Sequence, residues 1–141
     1  GFTIPNENLE DFKQLMAKDV AERISPDLVP TVRVDMEVRL RDLTFETAEH
    51  LEYLQPTGAE NPDAVFASRN VEVRSKKTVG SEAKHLKLLL TDGIGTLDAI
   101  GFNLGHLISV LPKKIDVLFA LEVNEYNGNS NLQLRIKDIK Y

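Results

Sequence analysis

The chain has 141 residues, no cysteine or tryptophan, three histidines and a formal net charge of −5. That length holds one domain, or one domain with a piece of a neighbour, and is enough to bury a core. Without cysteine there is no disulfide framework or thiolate metal site, which points to a reducing cytoplasm; no apolar run can span a bilayer, and the acidic balance argues against a global field for nucleic acid.

The average conceals a division. Residues 1–64 carry 6 Lys/Arg against 14 Asp/Glu, a net of −8, whereas residues 65–141 carry 11 against 8, a net of +3. This asymmetry predicts a local interaction surface in the second part. The chain opens on Gly1 rather than Met, which suggests an excised fragment.

Asn6 or Asn8 can cap a first helix, with Glu7, Glu10 and Asp11 near its positive end. Leu9, Phe12, Met16, Val20 and Ile24 recur at spacings of three and four, an apolar stripe suited to core packing, and Ser25-Pro26 ends it. After a linker from Pro26 to Pro30, Val32, Val34, Met36, Val38 and Leu40 alternate with charged residues, the cleanest strand pattern in the chain. Thr44 caps a second helix to about Leu54, with Phe45, Ala48, Leu51 and Leu54 inward. His50 on that helix has no second ligand at suitable spacing and reads as a surface residue. Pro56 and Gly58 stop the helix and make residues 55–61 a structured turn.

The next strand is predicted over 65–74, followed by a basic loop that holds Lys76 and Lys77. Two strands, 84–92 and 96–103, form a hairpin about Gly93-Ile94-Gly95. In the first arm Leu86, Leu88 and Leu90 face the core while His85, Lys87 and Thr91 face outward. In the second, Asp98 and Phe102 have the outward parity, and Ala99 and Gly101 are small enough for a barrel strand to bend. Leu104 to Leu111 can form a short helix ended by Pro112. Alternation resumes over 115–124 and 131–140, with Asn127-Gly128 as the hairpin signal between them, and Val117, Phe119, Leu121, Leu134 and Ile136 are expected in the core. The order from residue 65 is β-β-β-α-β-β. Five strands with one helix between the third and fourth match an OB-fold barrel, whereas an SH3-like barrel would not need that helix. The fold class expected is mainly β with accessory helices: a five-stranded OB barrel preceded by an N-terminal helix, a strand and a second helix.

No catalytic constellation stands out. His50, His85 and His106 fall on three different elements, HExxH and GxSxG are absent, and Gly93-Ile94-Gly95 joins strand to strand rather than strand to helix as a phosphate loop would. Neither a metal site nor a cofactor is expected in this segment. OB barrels bind single strands on the face of their second and third strands and on the loops joining first to second and fourth to fifth. Those places hold Lys84, His85 and Lys87; Asp98 and Phe102; Lys76 and Lys77 in the first loop; and Tyr126, Asn127 and Asn129 in the second. Arg135 and Lys137 alternate outward on the last strand. Single-strand grooves need cations for phosphates and flat rings for bases. The expected track therefore runs over Lys76, Lys77, Lys84, Lys87, Arg135 and Lys137, with Phe102 and Tyr126 as stackers; a merely solvated face is the alternative.

Several stretches are similar to one family in its own order and spacing. LEYLQPTGAENPDAVFASRNVEV, KHLKLLL, AIGFNLG and LEVNEYNGNSNLQLRIKDI resemble the C-terminal OB domain of RecJ, the bacterial single-stranded-DNA-specific exonuclease, and GFTIPNENLEDFKQLM resembles the end of the DHHA1 domain before it. The resemblance implies that residues 1–30 are the end of a DHHA1-like domain and a linker, and residues 31–141 a RecJ-type OB domain. It further implies a cytoplasmic parent hydrolase acting from the 5′ end of single-stranded DNA in repair and recombination. Divalent Mg or Mn would sit in catalytic DHH and DHHA1 domains outside this fragment, and single-stranded DNA and a single-strand-binding protein would be partners. The other reading is a structural or protein-interaction module without DNA affinity. One departure stands out: where the family commonly reads Pro-Phe-Gly, this chain has Pro56-Thr57-Gly58.

Overall fold

Alternating apolar residues on five successive segments can be buried only if the sheet they form curls onto itself, and in the computed structural model it does. The structure describes residues 3–23, 31–58, 60–126 and 128–141, with the Tyr126 side chain excepted. The predicted helix end at Ile24 to Pro26, the linker to Pro30 and Asn127 lie outside the described residues. Two units are present, residues 1–32 and 33–141.

In the first unit a 3-10 turn, Asn6–Asn8, leads into α1 (Leu9–Arg23). Ion pairs one turn apart, Lys13 with Glu10 and Arg23 with Asp19, add support of a few tenths of a kcal/mol each. The stripe does not pack as a core here: α1 buries none of its residues, and Leu9, Met16 and Val20 are exposed.

The second unit runs β1 (Met36–Glu37), a 3-10 turn (Leu40–Asp42), α2 (Phe45–Glu52), β2 (Phe66–Val79), β3 (His85–Thr91), β4 (Thr96–Gly101), a 3-10 turn (Gly105–Ser109), β5 (Lys114–Tyr126) and β6 (Asn129–Lys140). Strand order is β1-β2-β3-β4-β6-β5, and β5 also pairs with β2, closing a five-stranded barrel with β1 added in parallel at the N-terminal end of β2. Inside it Leu86, Leu88, Leu90, Val117, Phe119 and Leu134 are at most 1% exposed, so the alternation is satisfied on every barrel strand that supplies them. Phe66 and Phe119 meet at 6.0 Å between ring centroids, within the range of favourable tilted pairs.

Six expectations need correction. Thr91, expected outward, is 2% exposed, its hydroxyl donating to the Gly95 carbonyl at 2.6 Å, and Leu121, expected in the core, is only partly buried against it. The long alternation over Val32–Leu40 forms a ladder only at Met36–Glu37, because this segment has a single neighbour and the turn at Leu40–Asp42 ends it. On α2, Thr44 does cap the helix, accepting from the Thr47 N–H at 3.1 Å, yet Phe45 and Leu54 are exposed and only Ala48 is buried. The element between β4 and β5 is a 3-10 turn. Finally, β2 does not end at residue 74 but continues to Val79, so Lys76 and Lys77 lie on a strand and not in a loop.

One glycine explains how the Leu40–Asp42 turn, within the second unit, is fixed to the barrel. The turn between β3 and β4 packs so closely on the Leu40–Asp42 turn that a Cβ on Gly95 would lie 2.5 Å from the Arg41 backbone nitrogen. In the same turn the Asp92 carboxylate accepts from the backbone N–H groups of Arg41, Ile94 and Gly95 at 2.7–3.1 Å. Burial pushes this carboxyl up, but the three donors outweigh it and hold its pKa below the ordinary value.

Candidate nucleic-acid interface

The outward cations differ in what meets them, although the register sets Lys87, Ile100 and Arg135 in one row across β3, β4 and β6. A bulge between Val73 and Ser75 inserts an extra residue into β2 and reverses parity beyond it. Lys76 is thereby set opposite the buried Leu88 and Lys77 opposite Lys87. Lys76 has the core parity yet remains exposed, and its ammonium donates to the Leu111 carbonyl at 2.9 Å, just after the Gly105–Ser109 turn.

Lys77 and Lys87 are direct cross-strand neighbours on the outer face. Like charges so placed are destabilising unless an anion stands between or beside them. The carboxylate recorded near them is Asp98 on β4, 3.8 Å from the Lys87 ammonium. Along the same face His85 and Phe102 meet edge to face at 5.2 Å, and Phe102 is 53% exposed. The imidazole is held by its Nδ1, which accepts from the Asn103 N–H at 3.1 Å, and Gly80 leaves room for the ring: a Cβ there would come within 2.8 Å of it. Lys84 is exposed and paired with Glu82 at 2.6 Å, a surface contact that exchanges readily.

Arg135 and Lys137 have the outward parity on β6 but meet the chain's own carboxylates. The Arg135 guanidinium bonds to Asp63 and lies 3.5 Å from Glu122, and the Lys137 ammonium is 3.9 Å from Asp63. Asp63 also accepts from the Thr57 hydroxyl at 2.9 Å. This hydrogen bond, aided by Arg135 and Lys137 and opposed by burial, holds the Asp63 carboxyl below its ordinary range. Thr57, the residue that departs from the family pattern, is thus part of a clamp that ties Asp63 to β6.

Of the eight residues expected to contact nucleic acid, Lys77, Lys87 and Phe102 share the open side of β2–β3–β4, and Lys84 stands just before β3 beside Glu82. Lys76 is on the other face, Arg135 and Lys137 belong to the clamp, and the Tyr126 side chain lies outside the described residues. A cleft of about 390 Å³ lies between this face and the β5–β6 hairpin, lined by Lys87, Asp98, Asn124, Asn129, Asn131 and Gln133 among others. Sequence reasoning reached Asn129 but missed Asn124, Asn131 and Gln133. Their signal was available in the outward positions flanking Leu132 and Val123 on the hairpin arms. Among the described residues no group of three His, Cys, Asp or Glu could hold a metal ion, and no helix is long and apolar enough to cross a membrane.

A closed five-stranded barrel with a helical turn between its third and fourth strands, and a cleft on its second and third, defines an OB-fold domain. The family model of the RecJ OB domain matches residues 34–138, and the chain belongs to that family. Among curated relatives, the single-stranded-DNA-specific exonuclease RecJ of Bacillus subtilis (strain 168) is 27% identical over 142 residues, covering 98% of this chain and 18% of the relative. The protein of the same name from Haemophilus influenzae is 28% identical over 145 residues, covering 99% and 25%. The crystal structure of RecJ from Thermus thermophilus in complex with Mn2+ shares the fold, with a TM-score of 0.70 and 22% identity over 100% of this chain and 20% of that one. The chain therefore spans 18% and 25% of these two curated relatives.

Proposed function

We propose that residues 33–141 are the single-strand-binding domain of a RecJ-like exonuclease that degrades single-stranded DNA from the 5′ end in repair and recombination. The observation that carries this reading is the Lys77–Lys87 pair, two opposed cations on an exposed sheet face with a ring pair beside them. A phosphate between two such lysines relieves their repulsion, and an exposed Phe102 supplies the flat surface on which a base stacks. The names of the curated relatives support single-stranded DNA as the ligand. On this reading the hydrolase activity and its divalent Mg or Mn belong to DHH and DHHA1 domains of the parent protein, and residues 1–30 are the end of the latter with a linker. The parent would work in the cytoplasm, with a single-strand-binding protein as a further partner.

A second reading, a module that packs on protein, is favoured by a groove of about 580 Å³ lined by Met36, Val38, Leu43 and Phe66 with Glu37 and Arg39 at its rim. The two readings separate in a titration of the chain with fluorescent oligo(dT) over a series of salt concentrations. Lys77 and Lys87 each meeting one phosphate give a slope of log K against log salt of about −1.4, at roughly −0.7 per phosphate of a single strand. Absence of binding, or binding indifferent to salt, refutes the nucleic-acid reading and leaves the packing one.

A further inference from the structure

We propose that the cleft between the outer face of β3–β4 and the β5–β6 hairpin is a nucleobase pocket that prefers guanine. The inference rests on the single-strand-binding reading and names the base that this part of the surface holds. At about 390 Å³ the cleft falls in the size range of small-molecule sites, roughly 300–1,000 Å³.

Its β4 side does not suit a phosphate, which the single-strand-binding reading places on the β2 side of Lys87, against Lys77. The Lys87 ammonium already has the Asp98 carboxylate at 3.8 Å, and a second anion beside Asp98 would be repelled. The other polar lining groups include four side-chain amides, Asn124, Asn129, Asn131 and Gln133, each presenting both donors and an acceptor. Donors and acceptors close together are what a base edge reads. They are also ordered by the sheet: Asp98 is the register partner of Gln133, and Asn124 that of Asn131.

Amides can turn either end to a ligand, but Asp98 only accepts and Lys87 only donates. A base that satisfies this pair must direct donors at the carboxylate and an acceptor at the ammonium. Guanine carries two adjacent donors, N1–H and the 2-amino group, followed by the acceptor O6. Both carboxylate oxygens and the ammonium are then used at once. Adenine, cytosine and thymine each bring a single donor group on that edge. Lys87 and Asp98 have side chains 34% and 43% exposed, so an unstacked base can reach them.

The test is fluorescence anisotropy of the 141-residue chain with short oligo(dT) strands that carry at their centre one dG, one deoxyinosine or no purine. Inosine keeps N1–H and O6 and lacks the 2-amino group. The dG strand is expected to bind about tenfold tighter than plain oligo(dT), the size of one good bidentate pair, with inosine between them. Asp98→Asn should erase the ratio of dG to dT, and Lys87→Met should reduce it by an independent route. Equal affinity for all three strands, or a dG preference that survives Asp98→Asn, overturns the pocket while single-strand binding stands. No binding to any strand overturns the reading beneath it as well.

Discussion

The outward cations of β2–β3 and of β6 both stand beside a buried apolar stripe, and the structure surrounds them differently. On β6, Arg135 and Lys137 are engaged by Asp63, with Glu122 behind and Thr57 holding the carboxylate. On β2 and β3, Lys77 and Lys87 face each other with one carboxylate nearby. Alternation settles which way a side chain points; whether its charge is free depends on what the rest of the chain folds over it. The segment before the barrel therefore does more than lengthen the domain: through Asp63 it supplies the carboxylate that meets Arg135 and Lys137.

The largest effect breaks both faces together. Leu88 is 1% exposed between Lys87 and Leu89, and Leu88→Ala should cost about 2–5 kcal/mol in chemical denaturation. A smaller loss is expected where the Leu40–Asp42 turn is seated. In Gly95→Ala the new methyl meets the Arg41 backbone, which cannot give way as a side chain could, and the cost should be about 1–3 kcal/mol. A variant as stable as the parent would show that the turn is not held there.

The clamp is weaker because its members are about a third exposed. Arg135→Gln should lower stability by about 1 kcal/mol at neutral pH in the same assay. Its pH dependence carries a defined sign. The Asp63 pKa is depressed in the folded state, so its contribution is complete above the ordinary value near 3.8 and is lost as pH falls through the lower folded value. Thr57→Val removes the largest cause of that depression and should make the loss of stability below about pH 4 shallower. An unchanged acid limb would assign the depression to other groups.

Much of this was legible before the fold was seen, and the omissions have physical causes. Five strands, their core leucines and the helical turn followed from period-two alternation and from Pro112, because those signals are local. The face of Lys76 was not legible, since one bulged residue between Val73 and Ser75 reverses everything after it and leaves no mark in composition. Val32–Leu40 shows how a strand pattern overstates a ladder at a sheet edge, where one neighbour satisfies only a few residues. The clamp joins residues 72 apart, Asp63 and Arg135, a distance over which spacing carries no information. For the same reason Thr57 stood out only as a departure from a family pattern, its partner unknown.

The division of labour between the two basic faces is tested most directly by setting them against each other in one binding assay. Lys77→Glu/Lys87→Glu and Arg135→Gln/Lys137→Gln are each titrated with fluorescent oligo(dT) at low salt, after circular dichroism confirms the fold. The first pair should lose more than about tenfold in affinity, because two phosphate contacts become repulsions, while the second stays within about twofold of the parent. Affinity that survives reversal at Lys77 and Lys87 and falls at Arg135 and Lys137 would contradict the account and place the strand on the face assigned here to the clamp.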